Sequence, residues 1–138
     1  MKTLRTAALA ALLAAAGTAQ AFDLTVEVMN VRSADGFVAA AIYAAEGGWL
    51  KDGQAVQAQR VPAGEKAVIV YRNLPAGRYA VSAFHDENGN GRLDRNVLGI
   101  PSERYGFSRD ARGTMGPPAF GDAGVELEAD TTITIHLQ

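Results

Sequence analysis

Apolar and polar side chains alternate with a period of two along most of the chain beyond residue 21. The alternation is clearest at residues 22–29 and 131–137, as expected for strands with one buried face. Residues 37–43, FVAAAIY, are apolar throughout, which indicates a strand at the centre of a sheet. The whole pattern predicts seven strands, at residues 22–29, 37–43, 54–61, 66–71, 78–84, 123–127 and 131–137.

The spacing of these strands predicts the fold class. No segment after residue 21 carries a sustained helical period, and turn residues separate the strands. This indicates an all-β, seven-stranded antiparallel β-sandwich, immunoglobulin-like or transthyretin-like, with a closed barrel as the competing architecture. The turn at residues 33–36 is expected to join the first two strands as a hairpin. Gly77 is expected to take a positive φ in a tight turn after Pro75.

The first 21 residues read as a secretory signal peptide. Lys2 and Arg5 precede the apolar run TAALAALLAAAG, and residues 19–21 are an A-x-A cleavage site. The run is shorter than the roughly 20 residues that a membrane-spanning helix needs. Cleavage after Ala21 leaves 117 of the 138 residues, residues 22–138, as a single domain. The expected location is the periplasm or the extracellular space, with no integral membrane segment after cleavage.

Charge and cysteine content narrow the function further. Without Lys2 and Arg5, 11 of the 13 basic residues remain against 15 acidic ones, for a formal charge near -4. A nucleic-acid partner is therefore not indicated. The chain has no cysteine, so a small exported domain must be stabilised without disulfides, and a bound cation is one alternative.

Candidate chemistry is concentrated in the stretch HDENGNGRLD, residues 85–94. Oxygen-bearing side chains occupy positions 1, 3, 5 and 9 of a loop whose sixth residue is Gly91, which is the spacing of an EF-hand calcium loop. Calcium takes roughly six to eight oxygen ligands, and the glycine permits the sharp turn between them. The candidate ligands are the side chains of Asp86, Asn88, Asn90 and Asp94 and the backbone carbonyl of Arg92.

The loop departs from the EF-hand pattern in two ways. Position 12 is Val97 in place of a bidentate glutamate, and a strand leads into the loop. Glu103 is the best candidate for the missing carboxylate because residues 99–101 can turn the chain back, while Asp110 and Asp122 are alternatives. With so little ligand charge, the expected Kd is about 10⁻⁴ to 10⁻³ M. Metal-free turns favour the same residue types, so a loop without an ion is the alternative.

Two neighbouring side chains extend this interpretation. Leu93, at position 8, is expected to point into the core. His85 could suggest a transition metal, but His136 is the only other histidine, and imidazole sites usually gather further His or Cys ligands. A hydrogen-bonded histidine at the end of a strand is therefore the expected arrangement.

Residues 95–121 form a long interval without regular periodicity, and such loops are usually functional or disordered. Its Met115 and its three aromatic residues, Tyr105, Phe107 and Phe120, indicate order. They are expected to pack over the end of the core or to bind a peptide, glycan or partner protein. Trp49, the only tryptophan, is expected to cover one end of the core, with ligand binding as the alternative.

The central motifs carry a family resemblance. The segment LPAGRYAVSAFHDENGNGRLDRNVLGIPSERYGFS, followed by GPPAFGDA, resembles the bacterial exported family known as domain of unknown function 2141. The resemblance covers nearly all of residues 22–138 and implies a secreted or periplasmic β-sandwich with no established activity. LPAGRYAV is also similar to a turn of transthyretin-like and carboxypeptidase-regulatory-like modules.

Three classes of function follow. The first is a calcium-stabilised binding or accessory module of the cell envelope, and the second is a metal-free structural accessory domain. The third is a hydrolase acting at the His85/Asp86 loop, either through a triad with Ser108 or through Glu87 and Glu103 as a glycosidase pair. No nucleophile elbow or oxyanion loop is visible in the sequence, so an enzyme is the least favoured class.

Overall fold

The computed structural model describes residues 19–138, which form an all-β fold with two sheets. The predicted strands are present, with an additional short strand at residues 105–107 that the alternation does not indicate. In chain order they are β1 (Ala21–Met29), β2 (Phe37–Tyr43), β3 (Gln57–Pro62), β4 (Ala67–Pro75), β5 (Gly77–Asp86), β6 (Tyr105–Phe107), β7 (Val125–Leu127) and β8 (Thr131–His136). One short helix, α1 (Phe120–Ala123), precedes β7, and 3-10 turns lie at Glu46–Gly48 and Ser108–Asp110.

The two sheets differ in size and in strand direction. The three-stranded sheet has the order β4-β1-β8, and the five-stranded sheet has the order β3-β2-β5-β6, with β7 also paired to β5. β1 runs antiparallel to β4 but parallel to β8. The prediction of a purely antiparallel sandwich is therefore wrong for this pair of strands. The central strand β5 is flanked by β2 on one side and by both β6 and β7 on the other.

The hydrophobic core is shared by the two sheets. Alternate residues of β1, Leu24, Val26 and Val28, are fully buried, as are Val38 and Ile42 of β2. Side chains of β4, β5, β7 and β8 complete the same cluster. The period-two pattern therefore identified the buried faces correctly, because successive side chains of a strand point to opposite sides of its sheet.

The sheets are joined at two corners by different kinds of hydrogen bond. Beyond the end of β8, Gln138 exchanges two backbone hydrogen bonds with Tyr105 of β6, at 3.0 and 3.2 Å. At the opposite corner the amides of Gln57 and Gln59 in β3 donate to the carbonyls of Arg72 and Val70 in β4. Some of the backbone hydrogen-bonding groups on the outer strands of the two sheets therefore have partners in the other sheet.

The predicted hairpin of the first two strands is wrong. β1 pairs with β4 and β8, whereas β2 pairs with β3 and β5 in the other sheet. Residues 30–36 therefore cross between the sheets, with positive φ at Asn30 and Gly36. A Cβ at Gly36 would collide with the backbone carbonyl of Asp86, so only glycine allows this crossing to pack against the end of β5.

The expected turn after Pro75 also differs from the structure. A single residue, Ala76, separates β4 from β5, and the two strands belong to different sheets. The positive φ is found at Asn73, at 58°, and not at Gly77. Asn73 tolerates that conformation and its backbone N–H donates to Asp23 Oδ1 at 3.0 Å, which holds the bend against β1.

Within residues 19–138 no helix has the length and apolarity needed to cross a membrane. Residues 1–18 of the predicted signal peptide lie outside the described residues, so cleavage after Ala21 stays a prediction.

Candidate functional site

Strand β5 delivers the HDENGNGRLD segment to one end of the five-stranded sheet. His85 is completely buried on the core side of the strand, and Asp86, which follows it, is 1 % exposed. We call residues 86–103 the polar loop. It returns to the sheet at β6, where the backbone N–H of His85 donates to the Arg104 carbonyl at 2.8 Å.

The carboxylate of Asp86 organises the first turn of the polar loop. Its Oδ1 accepts the backbone N–H of Asn90 at 3.2 Å, and its Oδ2 accepts that of Gly91 at 2.8 Å. Gly91 has a φ of +78°, a backbone conformation that residues other than glycine rarely adopt. Position 1 thus receives the N–H groups of positions 5 and 6, and the predicted glycine makes the turn.

The two asparagines connect this turn to Asp94. The side-chain oxygens of Asn88 and Asn90 each accept a backbone N–H two residues further on. Their amide groups donate to the Asp94 carboxylate at 2.6 and 2.7 Å. The Asn90 amide lowers the pKa of Asp94 most strongly, and the Asn88 amide acts in the same direction. Donors to the ionised carboxylate favour the charged form.

Glu103 closes the polar loop from its far end. It is 6 % exposed, and its two carboxylate oxygens accept the backbone N–H groups of Glu87 at 2.7 Å and Asp94 at 2.9 Å. Both ends of the Asp/Asn segment are therefore held by one side chain. Glu103 was predicted from the sequence as an ion ligand of this segment, and that role stays a prediction. Its hydrogen bonds to the two backbone N–H groups were not foreseen.

The chemistry of the donor set can be compared with the needs of a hard cation. Among residues 19–138 no three His, Cys, Asp or Glu side chains converge as a metal-binding group. An ion here would need amide, backbone and water oxygens beside the carboxylates, which is acceptable for calcium and not for zinc. Each carboxylate oxygen accepts one hydrogen bond and keeps a further lone pair. The oxygen donors of the polar loop are of the kind that calcium accepts, and calcium binding itself stays a prediction.

His85 has partners that explain its burial. Its Nε2 is 2.7 Å from the Asp35 carbonyl, in the segment that crosses between the sheets. Its Nδ1 has no hydrogen bond and faces Glu87 Oε1 at 3.7 Å. Glu87 is also 3.4 Å from Arg32. The histidine ties the crossing segment to β5, as expected for a hydrogen-bonded residue at a strand end.

The middle of the polar loop is a small hairpin. An isolated bridge pairs Arg95 with Pro101, and the Ser102 N–H donates to the Asp94 carbonyl at 2.9 Å. Val97, at position 12, is fully exposed, in agreement with its lack of a ligand group. Leu93 is only half-buried and lies outside the core cluster, so its predicted core position is wrong. The Glu103 clamp at Asp94 holds this part of the chain at the surface.

The rest of the long interval is held by aromatic packing. We call residues 105–123 the aromatic segment. The indole ring of Trp49 packs against Tyr43, Phe107 and Phe120, with ring centroids 5.2 to 6.0 Å apart. Its Nε1 donates to the Pro118 carbonyl at 2.8 Å. Trp49 therefore fastens the aromatic segment to the end of β2.

Ser108 is a buried anchor of the aromatic segment. Its hydroxyl accepts the Val81 N–H at 2.9 Å and donates to the Ala123 carbonyl at 2.5 Å. The side chains of the suggested triad, Ser108, His85 and Asp86, each bond backbone groups elsewhere and make no hydrogen bond to one another. That constellation therefore lacks the contacts of a catalytic triad.

The alternative carboxylates of the sequence argument are engaged elsewhere. The Asp110 carboxylate accepts the backbone N–H of His136 in β8 at 2.8 Å, and its other oxygen is hydrogen-bonded to the ring Nδ1 of His136 at 2.7 Å. Asp122 is exposed on α1. Glu103 is thus the carboxylate that the fold brings to the polar loop. The Asp110 contact was not foreseen, because nothing in the strand pattern links residues 26 positions apart.

A groove of about 390 Å³ borders the polar loop on the outer face of the five-stranded sheet. Small side chains, Ala39, Ala41 and Ser82, form its floor, because they alternate with the core residues of β2 and β5. The rest of the lining, which we call the rim, includes Phe84, Arg60, Asp86 and Gly91. The Arg60 guanidinium also lies over the Phe37 ring, 4.4 Å from its centroid.

The fold and this site define an all-β domain with a polar loop at one end of its larger sheet and no recognised catalytic constellation in the described residues. Residues 26–135 match the family described as uncharacterized protein conserved in bacteria, DUF2141. The chain therefore belongs to this family, as its central motifs indicated. No curated protein and no solved structure is detectably similar to it.

Proposed function

We propose that the chain is an exported envelope domain, an immunoglobulin-like or transthyretin-like β-sandwich, that acts as a calcium-stabilised binding or accessory module. The proposed calcium ligands are the side chains of Asp86, Asn88, Asn90 and Asp94, the Arg92 carbonyl and Glu103. The sandwich assignment is supported by two sheets that share one core. Export is supported by the signal-peptide pattern at residues 1–21.

The observation that carries the calcium proposal is the conformation of the polar loop. Asp86 accepts the N–H groups of Asn90 and Gly91, so oxygen-bearing side chains at positions 1, 3 and 5 are gathered around one turn. Holding a carboxylate by backbone donors leaves lone pairs for an ion and fixes their direction. A loop arranged before binding loses less conformational entropy when the ion enters.

Glu103 supports the same proposal from outside the short motif. It is buried, bonded to the N–H groups of both Glu87 and Asp94, and carries the charge that position 12 lacks. The negative charge of Glu103 next to the Asp/Asn segment adds to the electrostatic attraction for a divalent cation, whether Glu103 coordinates the ion directly or through water. The ion would then stabilise the folded state alone, because the unfolded chain has no assembled site.

The groove beside the loop supports a binding role for the module. It combines a floor of small side chains with an aromatic ring, a guanidinium and the Asp86 edge, which suits a peptide or glycan. An ion that orders the polar loop would also order this rim, since Asp86 and Gly91 belong to both. The natural ligand is therefore expected to bind more tightly in calcium.

A metal-free structural accessory domain is the second candidate. It is favoured by the hydrogen bonds that already satisfy the polar loop, including the two amide donors to Asp94. In such a loop the asparagines act as turn residues and the carboxylates only anchor backbone groups.

Calcium titration with a matched variant separates the two candidates. Wild-type protein should melt at a higher temperature in calcium than in chelator, and Glu103→Gln should weaken calcium binding about tenfold while leaving the domain folded. Glu128→Gln, which removes an exposed carboxylate in the turn before β8, should bind calcium as the wild type does. Equal melting temperatures in calcium and in chelator for the wild type would reject the calcium proposal.

A further inference from the structure

The tip of the hairpin in the polar loop exposes three large aliphatic side chains. Val97 is 102 % exposed, Leu98 79 % and Ile100 55 %. We call these three residues the apolar tip. Singly exposed aliphatic residues are ordinary, but three within four positions form a patch that usually marks an interaction surface.

The apolar tip is held in a defined shape by its own hydrogen bonds. The Asn96 N–H donates to the Ile100 carbonyl at 2.8 Å, and the Gly99 N–H donates to the Asn96 carbonyl at 2.9 Å. The Asn96 side-chain oxygen accepts the N–H groups of Leu98 at 2.9 Å and Ile100 at 3.1 Å. Arg95 donates to the Gly99 carbonyl at 3.1 Å.

The hydrogen bonds within the hairpin lower the cost of moving the apolar tip out of water. Four of the five backbone N–H groups at residues 96–100 find an acceptor within the hairpin. Backbone groups that are already paired can enter an apolar phase without the large cost of an unmade hydrogen bond. A convex turn with aliphatic side chains outward and N–H groups inward is suited to the acyl region of a bilayer.

Charge at the base of the tip points to the same partner. Arg92 and Arg95 are exposed, and neither is ion-paired within residues 19–138. Of the nearby carboxylates, Glu103 is buried on backbone donors, and Asp94, which lies within Coulombic reach of Arg92, already accepts two amide donors. Arginines just behind an inserted apolar tip would lie at the depth of lipid phosphates.

We propose that the apolar tip docks the domain on lipid bilayers that contain anionic headgroups, with Leu98 and its neighbours inserted and Arg92 and Arg95 at the phosphates. This goes beyond the calcium proposal and does not depend on it, because none of the hydrogen bonds at residues 95–100 uses the side chain of a proposed calcium ligand.

Vesicle sedimentation of the full chain, expressed in an exporting host, tests the proposal. The N terminus of each preparation is determined by mass analysis, so that all variants compared share it. Wild-type protein should sediment with phosphatidylcholine vesicles containing phosphatidylglycerol, and Leu98→Asp should weaken this at least about tenfold. Met115→Asp is the matched control, because Met115 is 103 % exposed and its φ of 58° is one that Asp tolerates.

Two further measurements identify the mode of docking. Arg92→Gln should weaken binding about fivefold on anionic vesicles and have little effect on pure phosphatidylcholine. Because the chain has no cysteine, a polarity-sensitive dye on Leu98→Cys should shift to the blue on vesicles, while the dye on Met115→Cys should not. The proposal is overturned if wild type does not bind vesicles, if Leu98→Asp and Met115→Asp lose binding equally, or if neither dye shifts. Vesicle binding and the dye shift are expected in calcium and in chelator alike. Failure of this proposal is therefore distinguishable from failure of the calcium proposal.

Discussion

The polar loop and the aromatic segment are attached to the same central strand, β5, but by opposite means. Residues 86–103 are held by carboxylates that accept backbone N–H groups, with Asp86 at one end and Glu103 at the other. Residues 105–123 are held by ring packing around Trp49 and by the buried Ser108 hydroxyl. The first kind of anchor depends on ionisation and on any bound ion, whereas the second depends on buried area and is insensitive to both.

Removing the ring of Trp49 should have the largest effect on stability. Trp49→Ala deletes the contacts with Phe107 and Phe120. We expect a loss of about 3 kcal/mol in the free energy of unfolding, at the low end for tryptophan because the side chain is not fully buried. Urea unfolding followed by far-ultraviolet circular dichroism measures it.

Trp49→Phe sharpens this test, since it keeps a ring but loses the bond to the Pro118 carbonyl. The expected cost is about 1 kcal/mol. Equal losses in the two variants would show that the hydrogen bond, and not ring packing, holds the aromatic segment.

Asp86→Ala should have the next largest effect. It removes the acceptor of two backbone N–H groups, and we expect a loss of about 2 kcal/mol in the free energy of unfolding even in chelator. A carboxylate that acted only as an ion ligand would leave stability in chelator unchanged on removal, whereas the hydrogen bonds of Asp86 predict a loss.

The control for Asp86→Ala is Asp52→Ala, in an exposed turn, which should stay within about 0.5 kcal/mol of wild type. If Asp86→Ala in chelator matched this control, the carboxylate would act through an ion alone.

Acid should lower the stability of the polar loop through Asp94. We expect this effect to be smaller than those of Trp49→Ala and Asp86→Ala. Its pKa in the folded state lies below the usual value of 3.8, so its stabilising contribution is present above that pH and is lost as the pH falls through the folded-state pKa. The difference in stability between wild type and Asp94→Asn should therefore shrink below about pH 4. Melting curves of both proteins from neutral pH to acid measure this difference, and a difference that is constant with pH would contradict it.

The strands were predictable because alternation reports burial directly. Residues 37–43 match β2, and β1 and β8 differ from their predicted bounds by a single residue. Pairing was not predictable in the same way. The turn residues at 33–36 suit a hairpin, yet this segment crosses to the other sheet, where His85 bonds the Asp35 carbonyl. That contact joins residues 50 positions apart and leaves no local pattern.

The polar loop was predictable in part for the same reason. The Gly91 turn and its donors to Asp86 follow from short-range spacing. Glu103 was predicted as an ion ligand because position 12 lacks a carboxylate. That reasoning does not reveal its hydrogen bonds to the backbone N–H groups of Glu87 and Asp94, which join residues 9 and 16 positions apart. The anchoring role of Ser108 left no signal, because a serine that bonds the backbone of β5 and of α1 resembles any loop serine in the sequence. β6 is too short for periodicity to detect.

The glutamine contacts between β3 and β4 also affect the tendency of the domain to aggregate at high concentration. β4 is the outer strand of its sheet, and a bare outer strand is a template on which another molecule can add its own strand and begin a fibre. Gln57 and Gln59 already occupy the carbonyls of Arg72 and Val70 that such a strand would use. An incoming strand would have to displace both amides before it gained its first bonds, so these two side chains protect the domain from growth at that border.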